Sequence, residues 1–206
     1  MTTLWVGLFW VVLAYFVGAV PFGYLFVRLR LGRDIREVGS GNIGATNVLR
    51  ASGLVSGIVT LLLDAAKGYL AVLVAGLLTH QDRRFMALAA GAAVLGHVFP
   101  IYLRFRGGKG VATSAGALLG LAELSTTGAI LVFLLVVALW RYVSLASIFA
   151  AALLPIFYFL LEYKHQRSIA VLLAVVFCCA LVIIRHAENI RRLVAGTENK
   201  LTGHKK

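Results

Sequence analysis

The sequence has few charged residues: they occupy 14% of its 206 positions, against roughly a quarter in soluble globular domains. Hydrophobic residues make up 61%. This composition excludes a soluble globular domain and predicts an integral membrane protein. Because each helical crossing uses about 20 residues, the chain has no room for a separate soluble domain. We expect residues 1–206 to form a single all-α, polytopic membrane domain.

Acidic residues are scarcer than basic ones. Eight Asp and Glu stand against 20 Lys and Arg, which gives a formal net charge of +12. The basic residues flank apolar runs and do not form one exposed block, which argues against a nucleic-acid partner. Anionic lipid headgroups or a phosphorylated substrate account for the charge better.

Cysteine is nearly absent. Cys178 and Cys179 are adjacent within an apolar run, where geometry disfavours a mutual disulfide or a metal site. We expect both side chains to face lipid or to be packed between helices. The sequence predicts neither a metal nor a cofactor.

Long apolar runs are abundant, and by the length criterion they predict seven membrane spans. The spans fall at about 4–28, 54–79, 85–103, 110–123, 126–140, 143–161 and 168–184. The first lacks a positive n-region and exceeds signal-peptide length, so we expect it to be retained. The runs at 110–123 and 126–140 are short, and an oblique, partial or re-entrant helix is the alternative for 110–123.

The basic residues are distributed asymmetrically about these spans. Fifteen Lys and Arg flank one side, among them Lys205 and Lys206 in the tail, and four flank the other. The positive-inside rule then places the N-terminus outside and the C-terminus in the cytoplasm. The polar motifs of the sequence fall on the cytoplasmic side.

A glycine-rich polar loop at residues 39–50 separates the first two spans. Its glycines allow turns in which backbone N–H groups face inward. Its neutral donors are Ser40, Asn42, Thr46 and Asn47, and Arg50 adds a fixed positive charge. These features indicate a phosphate-binding loop at a membrane surface, and a flexible connector is the alternative.

A second glycine-rich motif lies at residues 96–113, after the third span. Gly107, Gly108 and Gly110 surround Lys109, so the lysine emerges from backbone that can approach a ligand closely. The motif is not a Walker A loop, because that loop requires Ser or Thr directly after the lysine. A positive-inside anchor is the alternative, but an anchor does not require flanking glycines.

The third motif, at residues 185–200, follows the last span. At 100° per residue its apolar side chains gather on one face, which predicts an amphipathic helix lying on the cytoplasmic surface of the membrane. His186 and Asn189, three residues apart, lie at one edge of that face. A surface helix with an interfacial histidine is the alternative interpretation.

Some polar residues fall inside or at the ends of spans. Asp64 and Lys67 share one face of the second span, where charges are costly and usually paired. A structural ion pair is the simpler interpretation. Helix packing is the simpler interpretation for Ser144 and Ser147, and His97 sits at the end of the third span.

The three cytoplasmic motifs resemble the bacterial acyl-phosphate:glycerol-3-phosphate acyltransferase family, known as PlsY. The pattern Gly-Ser-Gly-Asn-x-Gly-x-Thr-Asn-x-x-Arg matches 39–50. Gly-His-x-Phe-Pro followed by Phe-x-Gly-Gly-Lys-Gly-Val-Ala-Thr matches 96–113, and His-x-x-Asn-Ile-x-Arg-Leu-x-x-Gly-x-Glu matches 186–198. Asp-x-x-Lys-Gly matches 64–68. The resemblance covers essentially the whole chain and implies acyl transfer from acyl phosphate to sn-glycerol 3-phosphate, giving lysophosphatidic acid and inorganic phosphate.

The resemblance also implies the site residues. Those that would hold the acyl phosphate are Ser40, Thr46, Lys109 and Ser147. Those that would bind and orient glycerol 3-phosphate are Arg50, His186, Asn189 and Arg192. The expected catalytic residues are Ser40, Lys109, His186 and Asn189. Further expected substrate-site residues are Gly41, Asn42, Asn47, Asp64, Lys67, His97, Gly108, Gly110, Thr113, Gly196 and Glu198.

An acyl phosphate is already activated, so proximity and neutralisation of the leaving phosphate supply much of the expected rate enhancement. We expect direct attack by the glycerol hydroxyl, with its proton taken by the departing phosphate or by His186, and no acyl-enzyme intermediate. Such an enzyme would lie in the bacterial inner membrane, among membrane lipids, and would catalyse the first step of phospholipid synthesis. We expect no obligate protein partner.

Two other functions compete with this interpretation. A transporter of a phosphorylated solute usually places its polar groups near the bilayer midplane, whereas the polar motifs here gather at one interface. An acyltransferase using acyl-CoA or acyl carrier protein through a His-x-x-x-x-Asp motif is rejected, because no histidine of this chain has Asp five positions later. A membrane scaffold leaves the glycine-bearing motifs unexplained.

Overall fold

A computed structural model describes residues 2–201, so Lys205 and Lys206 of the predicted tail lie outside the described residues. The regular structure of residues 2–201 is helical, without a strand. The predicted all-α membrane class is confirmed. The chain divides between Leu121 and Ala122 into two compact units.

Among the described residues, the first unit has both long helices that can cross a membrane and short helices of eight to ten residues. They are α1 (Thr2–Ala19), α2 (Phe22–Leu31), α3 (Ala45–Ser52), α4 (Leu54–Leu78), α5 (Arg83–Val98) and α6 (Val111–Leu119). Short 3-10 turns cover Ile35–Glu37 and Ile101–Leu103. These two turns lead into the glycine-rich loops that carry the first two motifs.

The first apolar run folds as two helices within one candidate span, Thr3–Leu31. The interruption falls at Val20 and Pro21, between α1 and α2. Proline lacks the N–H that would continue the hydrogen bonding of α1, and its ring crowds the preceding turn. The predicted span at 4–28 is therefore interrupted, and Pro21 is the sequence signal for the break.

Glycines bring the helices of the first unit into close contact. α1 crosses α5 at Gly18 and Gly96, and α4 crosses α6 at Gly68 and Gly116; a Cβ at any of the four would overlap the backbone of the facing helix. In a bilayer, lipid tails are as apolar as the side chains, so close van der Waals packing of small residues drives helix association. These crossings fix α5 against α1 and α6 against the long span α4.

The helices of the second unit are α7 (Glu123–Trp140), α8 (Val143–Phe157), α9 (Tyr163–Gln166), α10 (Ile169–Arg185) and α11 (Ala187–Val194), and a π-helical turn, Tyr158–Glu162, joins α8 to α9. α8 packs against both α7 and α10. Glu162 accepts a hydrogen bond from the backbone N–H of Ser125 at 2.9 Å. The buried carboxylate thereby satisfies an N–H of the first turn of α7 that has no partner within its own helix.

The predicted count of seven spans is not confirmed. Five helical segments of the described chain are long and apolar enough to cross: Thr3–Leu31, Leu54–Leu78, Arg83–Leu103, Glu123–Trp140 and Val143–His165. A pair bent by 54°, Ile169–Arg185 with Ala187–Val194, raises the number to six if it is one span. The predicted run at 110–123 contains α6, whose nine residues extend about 14 Å, less than half of the ~30 Å hydrocarbon core.

The third motif begins at the bend between α10 and α11. Within α11, Ile190 and Val194 are exposed whereas Asn189 is buried against the protein. The apolar side chains thus face outward, as in a helix whose apolar face meets lipid headgroups and acyl chains.

Candidate functional site

The predicted site residues are distributed over the two units. The first unit contains Ser40, Gly41, Asn42, Thr46, Asn47, Arg50, Asp64, Lys67, His97, Gly108, Lys109, Gly110 and Thr113. The second contains Ser147, His186, Asn189, Arg192, Gly196 and Glu198. Within each unit, the structure gathers many of them around a buried amide or carboxylate.

The first glycine loop starts from a capped turn. The Asp34 carboxylate accepts a hydrogen bond from the backbone N–H of Arg36 at 2.9 Å and pairs with its guanidinium at 2.6 Å. The Arg36 side chain holds the pKa of Asp34 below its ordinary value. The chain then turns at Gly39 (φ +60°) and Gly41 (φ +68°), backbone conformations that residues with a Cβ rarely adopt. The path of this loop therefore requires both glycines.

Asn47 organises the loop from its centre. Its Oδ1 accepts a hydrogen bond from the N–H of Ser40 at 3.0 Å. Its Nδ2 lies 2.8 Å from the carbonyl oxygen of Val38 and 2.9 Å from that of Asn42. The side chain is buried, with 2% of the residue exposed. The amide of Asn47 thus holds loop backbone and positions Ser40.

Other polar side chains of the loop face outward. Ser40 and Arg50 are exposed, and Thr46 is half-buried in the first turn of α3. Asn42 is half-buried, and its Oδ1 accepts a hydrogen bond from the N–H of Gly44 at 2.8 Å. Hydroxyl and guanidinium groups are accordingly presented at the surface of a loop whose amides maintain its shape.

Three charged or titratable side chains are buried behind the loops. The Oδ1 of Asp64 lies 2.7 Å from the Nζ of Lys67 and 3.6 Å from the Nδ1 of His97. The Nζ of Lys67 also donates to the carbonyl oxygen of Val20 at 2.8 Å. These side chains are 3–5% exposed. The predicted pair of Asp64 and Lys67 is present, and His97 joins it.

The second glycine loop rests on His97. The N–H of Gly108 donates to the carbonyl oxygen of His97 at 3.1 Å, and a Cβ on Gly108 would overlap the imidazole ring. Lys109 follows and is half-buried. The buried Thr113 lies in the first turn of α6, and its hydroxyl oxygen has no hydrogen-bond partner among the described residues. The loop therefore presents an ammonium group and N–H groups at a helix start.

His186 lies at the joint between α10 and α11. It is buried, and its Nδ1 lies 2.8 Å from the carbonyl oxygen of Val182. Because a carbonyl oxygen only accepts hydrogen bonds, Nδ1 carries the proton. In the neutral ring, the basic nitrogen is then Nε2. This geometry sets the tautomer in which Nε2 can accept a proton as a general base.

The carboxylate of Glu198 connects three side chains of the second unit. Oε1 accepts from the Nδ2 of Asn189 at 2.7 Å and from the hydroxyl of Ser144 at 2.9 Å. Oε2 accepts from the Nε of Arg192 at 2.7 Å. Burial opposes ionisation of Glu198, but these hydrogen bonds outweigh it, so its pKa lies below its ordinary value. Glu198 thus remains charged and holds Asn189 and Arg192 in place.

Two further predicted residues have local roles. Ser147 is buried, and its hydroxyl donates to the carbonyl oxygen of Val143 one helical turn earlier, at 2.9 Å. Gly196 has φ +67° and ends the turn after α11, a conformation that favours glycine. That turn lets the chain bring Glu198 back to α8 and α11.

Sequence reasoning missed two features of these groups. It assigned Ser144 to helix packing, whereas its hydroxyl donates to Glu198. It also did not link Lys67 to the carbonyl oxygen of Val20, although Pro21 marks the break that exposes this acceptor. A hydroxyl near a helix start and a proline within an apolar run were the available signals.

Comparison with known proteins gives a consistent family match. A family model described as glycerol-3-phosphate acyltransferase matches residues 8–196. The chain is 50% identical over 194 residues to a glycerol-3-phosphate acyltransferase of Trichlorobacter lovleyi, covering 94% of this chain and 97% of the relative. It is 50% identical over 187 residues to one of Geobacter sulfurreducens, covering 91% and 93%.

Solved structures share the fold. A crystal structure of PlsY, an integral membrane glycerol 3-phosphate acyltransferase, in its glycerol 3-phosphate form superposes with a TM-score of 0.89 at 39% identity, covering 95% of this chain and 96% of that chain. The lysophosphatidic acid form gives a TM-score of 0.85 at 37% identity, covering 95% of both chains.

Proposed function

The chain belongs to the glycerol-3-phosphate acyltransferase family, and we propose that it transfers a fatty acyl chain from acyl phosphate to sn-glycerol 3-phosphate. The products are lysophosphatidic acid and inorganic phosphate. The family resemblance and enzyme class expected from the sequence are confirmed. Because the family model extends from residue 8 to residue 196, across the division between the compact units, we propose that both units form one functional domain.

The second glycine loop is the observation that carries the assignment of acyl phosphate. It combines the Lys109 ammonium, glycine-rich backbone and the start of α6, with the buried hydroxyl of Thr113 in that helix's first turn. N–H groups at a helix start and a nearby cation favour a phosphate. Ser40 and Thr46 supply hydroxyl donors from the first loop, and the family resemblance assigns Ser147 to the same substrate.

Glycerol 3-phosphate is assigned to another set of donors. Asn189 and Arg192 are held by one carboxylate, that of Glu198, which fixes an amide and a guanidinium beside each other. Arginine suits phosphate because its planar donors match two oxygens. Arg50 and His186 complete the set by motif position.

The chemistry proceeds by direct transfer. The attacking glycerol hydroxyl oxygen forms a bond to the acyl carbonyl carbon, and the bond from that carbon to the phosphate oxygen breaks. The hydroxyl proton goes to the departing phosphate or to the Nε2 of His186. Lys109 neutralises the charge that develops on the leaving phosphate, where a fixed cation stabilises the transition state.

We also propose a location and an orientation. The chain belongs to the bacterial inner membrane, with its N-terminus outside and its C-terminus and site on the cytoplasmic side. The excess of Lys and Arg on one side of the spans supports this orientation. Cytoplasmic thiol labelling of single cysteines placed at exposed Arg50 and at exposed Gln81 tests it: only the cysteine at position 50 should react from the cytoplasm.

Purified protein tests the reaction. With acyl phosphate and glycerol 3-phosphate, mass spectrometry should detect lysophosphatidic acid, and acyl-CoA should not replace acyl phosphate, with or without chelator. Uptake of labelled glycerol 3-phosphate by proteoliposomes without product formation would contradict the proposal. Radiolabelled acyl chain that stays on denatured protein would contradict direct transfer.

A further inference from the structure

Beyond the assigned substrate donors, we propose that Asp64 is a positioning residue that fixes the two acyl-phosphate loops relative to each other. Through Lys67 it holds the break between α1 and α2, and with it the first glycine loop. Through His97 it holds the second glycine loop, which carries Lys109. The inference rests on the proposed assignment of acyl phosphate to these loops.

The first connection runs from Asp64 to the break at Pro21. The Nζ of Lys67 lies 2.7 Å from the Oδ1 of Asp64 and donates to the Val20 carbonyl oxygen at 2.8 Å. It also lies 5.5 Å from the centre of the Phe22 ring at the start of α2. A single ammonium group therefore bridges α4 to both sides of the interruption.

The position of α2 in turn determines the position of the first glycine loop, because the two are packed together. A Cβ on Gly23 would overlap the carbonyl oxygen of Ile43, so helix and loop backbone are in direct contact. Val27 of α2 belongs to the same buried apolar cluster as Ile35, Ile43 and Val48, which flank and form the loop. A close-packed contact of this kind leaves no space to absorb a shift, so a displaced α2 displaces the loop of Ser40.

The second connection runs from Asp64 to Lys109. The Nδ1 of His97 lies 3.6 Å from the Oδ1 of Asp64. On its other side, the ring lies directly against Gly108, and the His97 carbonyl oxygen accepts the Gly108 N–H at 3.1 Å. The residue before Lys109 is thus supported by both the backbone and the ring of His97.

Both connections meet at one oxygen atom, the Oδ1 of Asp64. The two loops consequently share a reference point on α4, the long span. A buried ion pair is weak evidence for stability, because desolvation opposes its Coulomb attraction. Ionisable groups at membrane depth are costly and typically serve function. Placing the donors of two loops around one phosphate is such a function, since a misplacement of about 1 Å can slow transfer about 100-fold.

The first experiment separates positioning from folding. We expect D64N and H97A, in purified full-length protein, to raise the KM for acyl phosphate about tenfold while the KM for glycerol 3-phosphate changes less than about twofold. H97N retains a donor near the position of Nδ1 and should recover part of the loss. T60V is the matched control, because buried Thr60 lies on the same span and its hydroxyl bonds only to the Ser56 carbonyl oxygen of its own helix among the described contacts.

The second experiment uses the neutral pair D64N/K67M. D64N leaves the buried Lys67 ammonium without its carboxylate partner, and D64N/K67M removes that ammonium as well. The melting temperature in detergent should therefore be higher for D64N/K67M than for D64N. The KM for acyl phosphate should stay raised. If it returns to the wild-type value together with the melting temperature, Asp64 is only structural and the inference is wrong.

Two other outcomes are equally decisive. An unchanged KM for acyl phosphate in both D64N and H97A overturns the inference, as does an equal rise in the KM values of both substrates. Failure of the wild-type protein to form lysophosphatidic acid instead overturns the proposed function, so the two failures are distinguishable.

Discussion

Glu198 holds Arg192 through a hydrogen bond of 2.7 Å between its Oε2 and the Nε of the guanidinium. The same carboxylate holds Asn189 at 2.7 Å. Both partners are assigned to glycerol 3-phosphate, whereas a carboxylate would repel a phosphate. The sequence expectation that Glu198 belongs to the substrate site is therefore best explained by a positioning role.

Replacing Glu198 by Gln should raise the KM for glycerol 3-phosphate about tenfold or more, because hydrogen bonds to a charged group contribute about 1.5–3 kcal/mol. The KM for acyl phosphate should change little. Initial-rate kinetics with each substrate varied measures both. E188Q is the matched control, because Glu188 also faces Arg192 but at 3.9 Å and with 84% of its side chain exposed, where an ion pair contributes little. Equal effects of the two substitutions would contradict the assignment.

The pKa of Glu198 sets the pH dependence of this contribution. In the folded protein the pKa lies below its ordinary value, which is about 4.3 for Glu. The stabilisation is therefore complete above that range and is lost as pH falls through the lowered pKa. The difference in melting temperature between wild type and E198Q should be constant from about pH 7 to 5 and shrink below. A difference that grows on acidification would contradict the prediction.

Asn47 should matter for the shape of the first loop. N47A removes the acceptor of the Ser40 N–H and the Nδ2 group that lies within hydrogen-bond distance of three backbone carbonyl oxygens. Leaving buried polar groups unpaired should lower the free energy of unfolding by about 2 kcal/mol or more. Hydrogen exchange of the backbone at 38–44 should accelerate. N42A loses one local bond to Gly44 and serves as control, and similar exchange in both variants would count against an organising role for Asn47.

Lys109 should act on the leaving phosphate. K109M should lower kcat/KM for acyl phosphate about 100-fold, as expected for loss of a group that stabilises developing charge. R106M is the control, because Arg106 is an exposed cation at the start of the same loop and tests for general loss of positive charge. Comparable losses in the two variants would indicate a surface-charge effect rather than a specific contact.

The membrane class, the family and individual long spans were predictable because their signals are local, whereas the count of seven spans was not confirmed. The run at 54–79 became α4, Leu54–Leu78, since apolar length alone decides a crossing. Apolar length did not show whether the run at 110–123 crosses the membrane. Its helix α6 has nine residues and packs through Gly116 against α4. This contact joins distant parts of the chain, so the local sequence does not show it. The role of Asn47 was also inaccessible, because a ligand-binding amide and a loop-anchoring amide need the same residue type, and only the partner distinguishes them.

His186 is the remaining candidate for proton transfer, and its orientation allows a specific test. Nδ1 is fixed by the carbonyl oxygen of Val182 at 2.8 Å, so Nε2 is the nitrogen that can accept the hydroxyl proton. Asn places an N–H donor near the position of Nδ1 and lacks a counterpart of Nε2. H186N should therefore preserve the melting temperature while lowering kcat by about 100-fold. Its effect on the KM for glycerol 3-phosphate should be smaller than that of E198Q. H186A, which loses both nitrogens, should reduce kcat similarly and melt at lower temperature. Near-normal turnover of both variants would remove His186 from the site and leave the departing phosphate as the proton acceptor.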